Sequence, residues 1–439
     1  MPHGDFHVFT MHGDTLMCLP SGEVFLLDGP AREALECRLS GDAPPSAPGR
    51  EALAELEAIL SHPPKDHRRD DPPRQLRALC LNVTHACNLA CQYCFASNIT
   101  GGGGLMTGRV MEQALDFLLQ NSGGMKRLQV DFFGGEPLLA FDEIRHGVKY
   151  ARSLEKEHGR TILFTLTTNA LLLNREVLDF IKAEGMSLIL SLDGPEDVND
   201  LFRKRRDGRG SYHEVIENIR LAQSMLPPHS YYVRGTFTAR TLHILETLKF
   251  MEDEGFINVS LEPVACPDDA PYALREEHLE SLLEKYREIA LYLQGRKMKF
   301  FHFNLEMDNP LCLTRRITGC GAGAEYLAVD PRGDIYPCHQ FVERPPFKMG
   351  NVARGIENPD VSTQFRKSTI YTKEGCDDCW ARFYCGGGCH FQQFARNGSI
   401  QKPSPFYCNL FKGRLESALW HSFYIPDLPC GMRQAIVEV

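Results

Sequence analysis

The sequence predicts an α/β protein in three parts: a parallel sheet of six strand–helix units, a small module before it, and a cysteine-rich region after it. Three observations carry this. From about residue 76 to 265, strand-like runs alternate with amphipathic helical stretches. The first 70 residues are set off by a polar, proline-rich stretch between Pro63 and Pro73, which reads as a linker. From 311 onward the periodicity fades, and eight cysteines fall between 312 and 408.

In the first module, residues 1–70, short strands are expected over Phe6–Thr10, Thr15–Leu19 and Glu23–Leu27. Turn signals separate them at His12-Gly13-Asp14 and Pro20-Ser21-Gly22. Helices are expected near 30–39 and 50–61. Three short strands with two or three helices suit a winged-helix-like unit. No catalytic residue set occurs there, so binding is its expected role.

In residues 76–265, strands are expected at 76–83, 127–133, 161–168, 186–192, 231–238 and 257–263. Between them, 109–121 and 174–184 place apolar residues on one helical face, as Val177, Leu178 and Ile181 do in the second. Six such units imply a parallel sheet with right-handed crossovers, either open and doubly wound or a full or partial barrel. In both, chemistry gathers at the C-terminal strand ends. Residues 266–310 form a bridge with a charged helix, Leu274–Leu293. In 311–424 a final helix is expected at 409–424, and bound metal is expected to help fold a region too irregular for a large core.

The chain has 439 residues, a net charge of −9 and 43% hydrophobic residues. That length suggests roughly two to four domains, and the acidic balance argues against nucleic acid. The run Arg203-Lys204-Arg205-Arg206 is expected to be a solvated loop beside a barrel mouth. No signal peptide opens the chain, and no apolar run reaches membrane-span length. A cytoplasmic location follows, where clustered cysteines bind metal or do chemistry more often than they form disulfides. Of 16 cysteines, Cys18, Cys37, Cys80, Cys266 and Cys430 read as structural or incidental.

The others form two groups. Cys87, Cys91 and Cys94 are spaced C-x3-C-x2-C at the end of the first sheet strand. Three thiolates hold three irons of a [4Fe–4S] cube and leave the fourth iron open to a small molecule. A zinc knot is the competing reading, although structural zinc sites want four ligands. Gly134-Gly135-Glu136-Pro137 follows the second strand, where two glycines let a ligand approach the backbone.

With these motifs the chain resembles the radical S-adenosylmethionine enzymes. The resemblance implies a partial (β/α)6 TIM-type barrel and an S-adenosyl-L-methionine cofactor on the open iron. It implies that Gly134, Gly135 and Glu136 hold the methionyl amino group. Asn169, Ser191 and Arg203 match further cofactor contacts, and Asp193 matches a motif position that also suits a turn. The later cysteines resemble the SPASM extension of peptide- and protein-modifying members, which carries two auxiliary [4Fe–4S] clusters, three in all. The resemblance assigns Cys320, Cys338 and Cys389 to the nearer one, with Cys312 as fourth ligand, and Cys376, Cys379, Cys385 and Cys408 to the farther.

Several stretches, among them Tyr232-Val233-Arg234-Gly235-Thr236 and Tyr336-Pro337-Cys338-His339-Gln340, resemble the thioether-forming maturases of cysteine-rich SCIFF peptides and ranthipeptides. That implies a ribosomal precursor peptide as substrate and an external electron donor such as a ferredoxin or flavodoxin. It also implies a first module that recognises the leader by strand addition. Other SPASM-type reactions, such as sulfatase formylglycine formation or carbon–carbon cross-linking, and a multi-cluster electron-transfer protein are the alternatives.

Overall fold

A computed structural model describes residues 6–19, 23–44, 46–61, 75–96, 104–305 and 317–424. The expected linker at 63–73, most of the Gly101–Gly104 loop, Cys312 and Cys430 lie outside them.

The first module is an antiparallel meander of β1 (His7–Met11), β2 (Asp14–Cys18) and β3 (Val24–Leu27), followed by α1 (Gly29–Ser40) and α2 (Ala47–Leu60). Both helices start where the sequence supplies a cap. Asp28 accepts from the Ala31 amide and Ser46 from the Gly49 amide, satisfying donors that a helix start leaves unpaired. Alternation sorts the strand side chains. Met17, Phe25 and Leu27 face the two helices, whereas Phe9, Met11, Leu16 and Cys18 face the body of the protein.

The main sheet has eleven strands among the described residues. β4 (Ala78–Thr84), β5 (Arg127–Gly134), β6 (Thr161–Thr168), β7 (Ser187–Ser191), β8 (Tyr231–Phe237) and β9 (Asn258–Pro263) each pair in parallel with the next. Consecutive order without a switch point is that of a barrel, not of a doubly wound sheet. At one edge β10 (Lys299–Phe300) adds to β9. At the other, β11 (Tyr326–Val329) pairs in parallel with β4. The barrel is therefore open, and its sheet runs on into the cysteine-rich half through β12 (Asp334–Tyr336), β13 (Gly350–Asn351) and β14 (Gly355–Ile356).

Outward strand residues such as Leu128, Val130 and Phe132 pack under α3 (Gly108–Asn121), α4 (Phe141–His158), α5 (Arg175–Ala183), α6 (Glu196–Phe202), α7 (Tyr212–Met225) and α8 (Ile244–Asp253). Within the barrel, strand and helix limits fall within one or two residues of those expected. The bridge helix α9 spans Leu279–Tyr292, behind a short 3₁₀ turn at Glu276–His278. The cysteine-rich half also holds α10 (Pro359–Arg366), α11 (Arg382–Cys385), α12 (His390–Asn397) and α13 (Pro405–Ser422). The last begins four residues before the expected 409, and this carries Cys408 onto its first turn.

The first module docks on this half. Trp420 donates to Asp14 at 2.8 Å, His7 pairs with Glu416 at 2.7 Å, and the His7 ring stacks on Trp380 at 4.1 Å. No described helix is long and apolar enough to cross a membrane.

Candidate functional site

The Cys87–Cys94 loop leaves the C-terminal end of β4 and is laced to three neighbours. The Gly135 and Glu136 amides donate to the Thr84 and Ala86 carbonyls, each at 2.8 Å. A Cβ at Gly135 would run into the Ala86 carbonyl, and one at Gly134 into that of Thr84. Both glycines are required for this close approach. From the other side, the Ala90 amide donates to the Lys204 carbonyl at 2.8 Å, and Arg206 Nε donates to the Cys87 carbonyl at 2.6 Å. The basic run is thus not simply a solvated loop. Arg203 is buried and the stretch braces the cysteines, because it follows α6 directly onto them.

Glu136 is fully buried. Its carboxylate accepts from the Asn169 amide at 2.8 Å, the Thr168 hydroxyl at 2.7 Å and the Leu138 amide at 3.0 Å. Burial nonetheless raises its pKa, against these bonds. Asn169 turns its side-chain amide to Asn88 Oδ1 at 2.7 Å and to Cys87 Sγ at 3.7 Å. The Leu89 amide also reaches Cys87 Sγ, at 3.4 Å.

A second buried set lies beside it. Tyr93 donates to Asp193 at 2.6 Å and accepts from Arg203 at 3.1 Å, and Asp193 also accepts from the Thr236 amide. Asp193 is therefore more than a turn residue. Burial opposes the charge on Arg203, and Tyr93, Cys91 and Asp193 outweigh it. Arg203 Nε is buried without a protein acceptor. An orphaned guanidinium donor beside the cysteine loop fits an anionic ligand. Ser191 ends β7 opposite Arg234 of β8.

The thiols fit a cationic group. Burial pushes Cys91 up to about 12 and raises Cys87, and Cys94 raises both further. Buried thiols that oppose one another's ionisation become ligands when a metal supplies the countercharge.

The same test picks out two sets in the cysteine-rich half. Cys338 is raised first by burial, then by Cys320 and Cys389, and Cys389 reaches about 11 by burial and Cys320. Cys385 reaches about 12 and Cys376 about 11, by burial and then by neighbours drawn from Cys376, Cys379 and Cys408. The fold brings Cys389 to Cys320 and Cys338, across the nearer Cys385 in sequence. Glycines 386, 387 and 388 all have positive φ and turn the chain between the two sets.

The described sites touch. Phe95, next to Cys94, packs on the ring of His339, next to Cys338, at 5.6 Å, and Phe133 meets the same ring at 4.8 Å. Burial pushes His339 down to about 4, so the ring is neutral, and Tyr326 hydroxyl lies 3.0 Å from its Nδ1. Tyr93, Asn88, Thr168 and His339 were not singled out as site residues from the sequence. Tyr93 lies inside the cysteine motif, and His339 follows a cysteine. Those positions were the available signal.

Two family descriptions match the chain: the radical SAM superfamily over residues 81–251, and the SPASM iron–sulfur cluster-binding domain over residues 320–380. The chain is a radical SAM enzyme with a SPASM domain. This enzyme is 23% identical over 378 residues to a cysteine-type anaerobic sulfatase-maturating enzyme of Clostridium novyi (strain NT), covering 80% of this chain and 97% of that one. Its fold matches the structure of native anSMEcpe with bound AdoMet and Cp18Cys peptide, with TM-score 0.67 and 22% identity over 80% of this chain and 98% of that chain. It also matches Streptococcus suis SuiB bound to precursor peptide SuiA, with TM-score 0.54 and 17% identity over 92% and 98%.

Proposed function

We propose that this enzyme installs thioether cross-links, from a cysteine sulfur to a carbon of another residue, in a ribosomally made cysteine-rich peptide. The observation that carries this reading is the Phe95–His339–Phe133 contact. It joins the residues that follow Cys94 and Cys338, so in this reading a substrate at the strand ends would lie between two metal centres.

In this reading Cys87, Cys91 and Cys94 hold the first of three [4Fe–4S] clusters. Glu136, with Gly134 and Gly135, receives the amino group of S-adenosyl-L-methionine. Arg203 offers its unpaired Nε to the carboxylate, and Asn169 and Ser191 line the remainder. Bound there, the cluster and cofactor supply a carbon radical that removes a hydrogen atom from the substrate. Tyr93 and Asp193 fix the Arg203 guanidinium, and the loop's backbone bonds hold the thiols in place. As its C–S bond forms, the substrate loses one hydrogen atom, one proton and one electron. Cys320, Cys338 and Cys389, with Cys312 as proposed fourth ligand, would hold a cluster able to accept that electron. Cys376, Cys379, Cys385 and Cys408 hold the next, and a ferredoxin or flavodoxin supplies the priming electron.

The first module, winged-helix-like in this reading, takes the precursor leader along β3. That strand pairs only with β2 among the described strands and leaves an edge for strand addition. SuiB leaves under a tenth of this chain uncovered where anSMEcpe leaves about a fifth, which favours a precursor-peptide substrate. Formylglycine formation is the second reading, favoured by the sulfatase-maturating relatives.

Anaerobic co-expression with a cysteine-rich peptide, followed by mass spectrometry, separates the two. A thioether removes two hydrogens per link and protects that cysteine from alkylation. A product alkylated at every cysteine would refute the first reading.

A further inference from the structure

Lys373 is 2% exposed. Lysine is among the residues least often buried, because an ammonium loses its hydration there. Here two acceptors replace the water. Nζ donates to the Gly387 carbonyl at 2.7 Å and to Gln393 Oε1 at 2.9 Å. Gln393 is fixed in turn, its Nε2 donating to the same carbonyl at 2.7 Å. The three consecutive left-handed glycines between Cys385 and Cys389 present that carbonyl inward. So the loop that joins the two cysteine sets is folded around one ammonium.

Four thiols and the His390 ring are electrostatically coupled to this charge. Burial lowers its pKa, and Cys376 and Cys385 of one set and Cys389 and Cys320 of the other oppose that. No carboxylate is among its hydrogen-bond partners. A structural lysine would ordinarily find a carboxylate. This one is placed where negative charge is expected only once both cysteine sets are loaded with iron.

We propose that Lys373 is a positioning charge that stabilises an added electron on both auxiliary clusters. This rests on the three-cluster reading above. A reduced cluster carries one more negative charge than an oxidised one, and nearby fixed charge is a principal lever on its potential. Its bond to Gly387 puts the charge on the loop between Cys385 of the outer set and Cys389 of the substrate-side set, so one ammonium serves both.

The test is a reductive titration of the full-length, iron-loaded enzyme, followed by electron paramagnetic resonance. Lys373→Gln removes the charge and keeps one donor for Gly387, and Lys373→Arg keeps the charge. At a fixed applied potential, the glutamine variant should show the reduced-to-oxidised ratio of the auxiliary clusters fall about tenfold, or about 59 mV for one electron. The Cys87–Cys94 cluster should not move, and arginine should restore the parental ratio. Loss of iron in the glutamine variant alone, with arginine retaining it, also supports a requirement for charge. Full iron with unmoved ratios, or loss of iron in both variants, overturns the proposal. Iron in the unaltered protein far below about twelve per chain, three cubes of four, would instead overturn the three-cluster reading, and this inference with it.

Discussion

The barrel and the cysteine-rich half hold their sites by different means. Around Cys87–Cys94, consecutive parallel strands and a continuous apolar core fix the backbone, and the loop is bonded on both sides by main chain. In the cysteine-rich half the strands are two to four residues long; the shared core reaches Phe391, Ile400 and Phe406, while Ile317, Ile370 and Phe383 form a small separate cluster. The first site is built by packing and then filled. The second has less regular backbone around it and should lean more on what fills it. A large core can hold buried polar groups in unfavourable states, whereas a small one needs metal–ligand bonds for its own stability.

The sharpest break between the two is Cys91→Ala. It should abolish cleavage of S-adenosyl-L-methionine and remove about four irons per chain, while the C-terminal iron stays. Product chromatography with iron analysis checks this, and cleavage surviving in the variant would contradict the assignment. Next in size is iron removal by chelation. Amides from 376 to 408 should exchange about a hundredfold faster, a loss of about 3 kcal/mol of local stability. Those of β5 and β6 should keep their protection. Equal loosening of both halves would erase the distinction drawn above.

A smaller effect comes from Asp131, on the inner face of β5. Burial raises its pKa to about 6, against a Thr165 bond and Arg77. Unfolded, the carboxyl releases its proton near 3.9. Between those values the native state binds the extra proton, so stability falls as pH rises through the window. Above it the full cost stands at roughly 2–3 kcal/mol. Asp131→Asn should therefore match the parent near pH 4 and exceed it at pH 7.5 in denaturant titrations. The same gain at both pH values would refute the burial account. Smallest is His7→Ala, which removes the Trp380 stack and the Glu416 pair at a cost of about 1 kcal/mol. It should speed exchange in β1 and β2 and leave iron content unchanged.

Legibility in the sequence follows the same divide. The six strands could be read because alternation and apolar runs are local signals, and the Cys87–Cys94 spacing lies within one loop. Gly134 and Gly135 were readable as a close approach, but not which carbonyls they approach. The Tyr93–Asp193–Arg203 set joins residues 100 and 110 apart, and no local pattern encodes that. In the cysteine-rich half, Ser404-Pro405 does carry a helix-start signal, but an expected start at 409 passed over it. Lys373 gave no signal, because a lysine in an irregular region reads as surface. Its burial depends on three glycines and a glutamine that only the fold assembles.

The parallel register of Tyr326–Val329 on Ala78–Leu81 limits how this protein can be taken apart. A fragment ending before Tyr326 would leave β4 as a bare margin of unpaired amides and carbonyls beside buried apolar residues, the kind of margin that recruits foreign strands. Such a fragment should self-associate on expression. For the same reason, chimaeras with relatives need to exchange β4 and β11 together, since each strand is shaped to the other. The two halves that differ so much in construction are one inheritable unit.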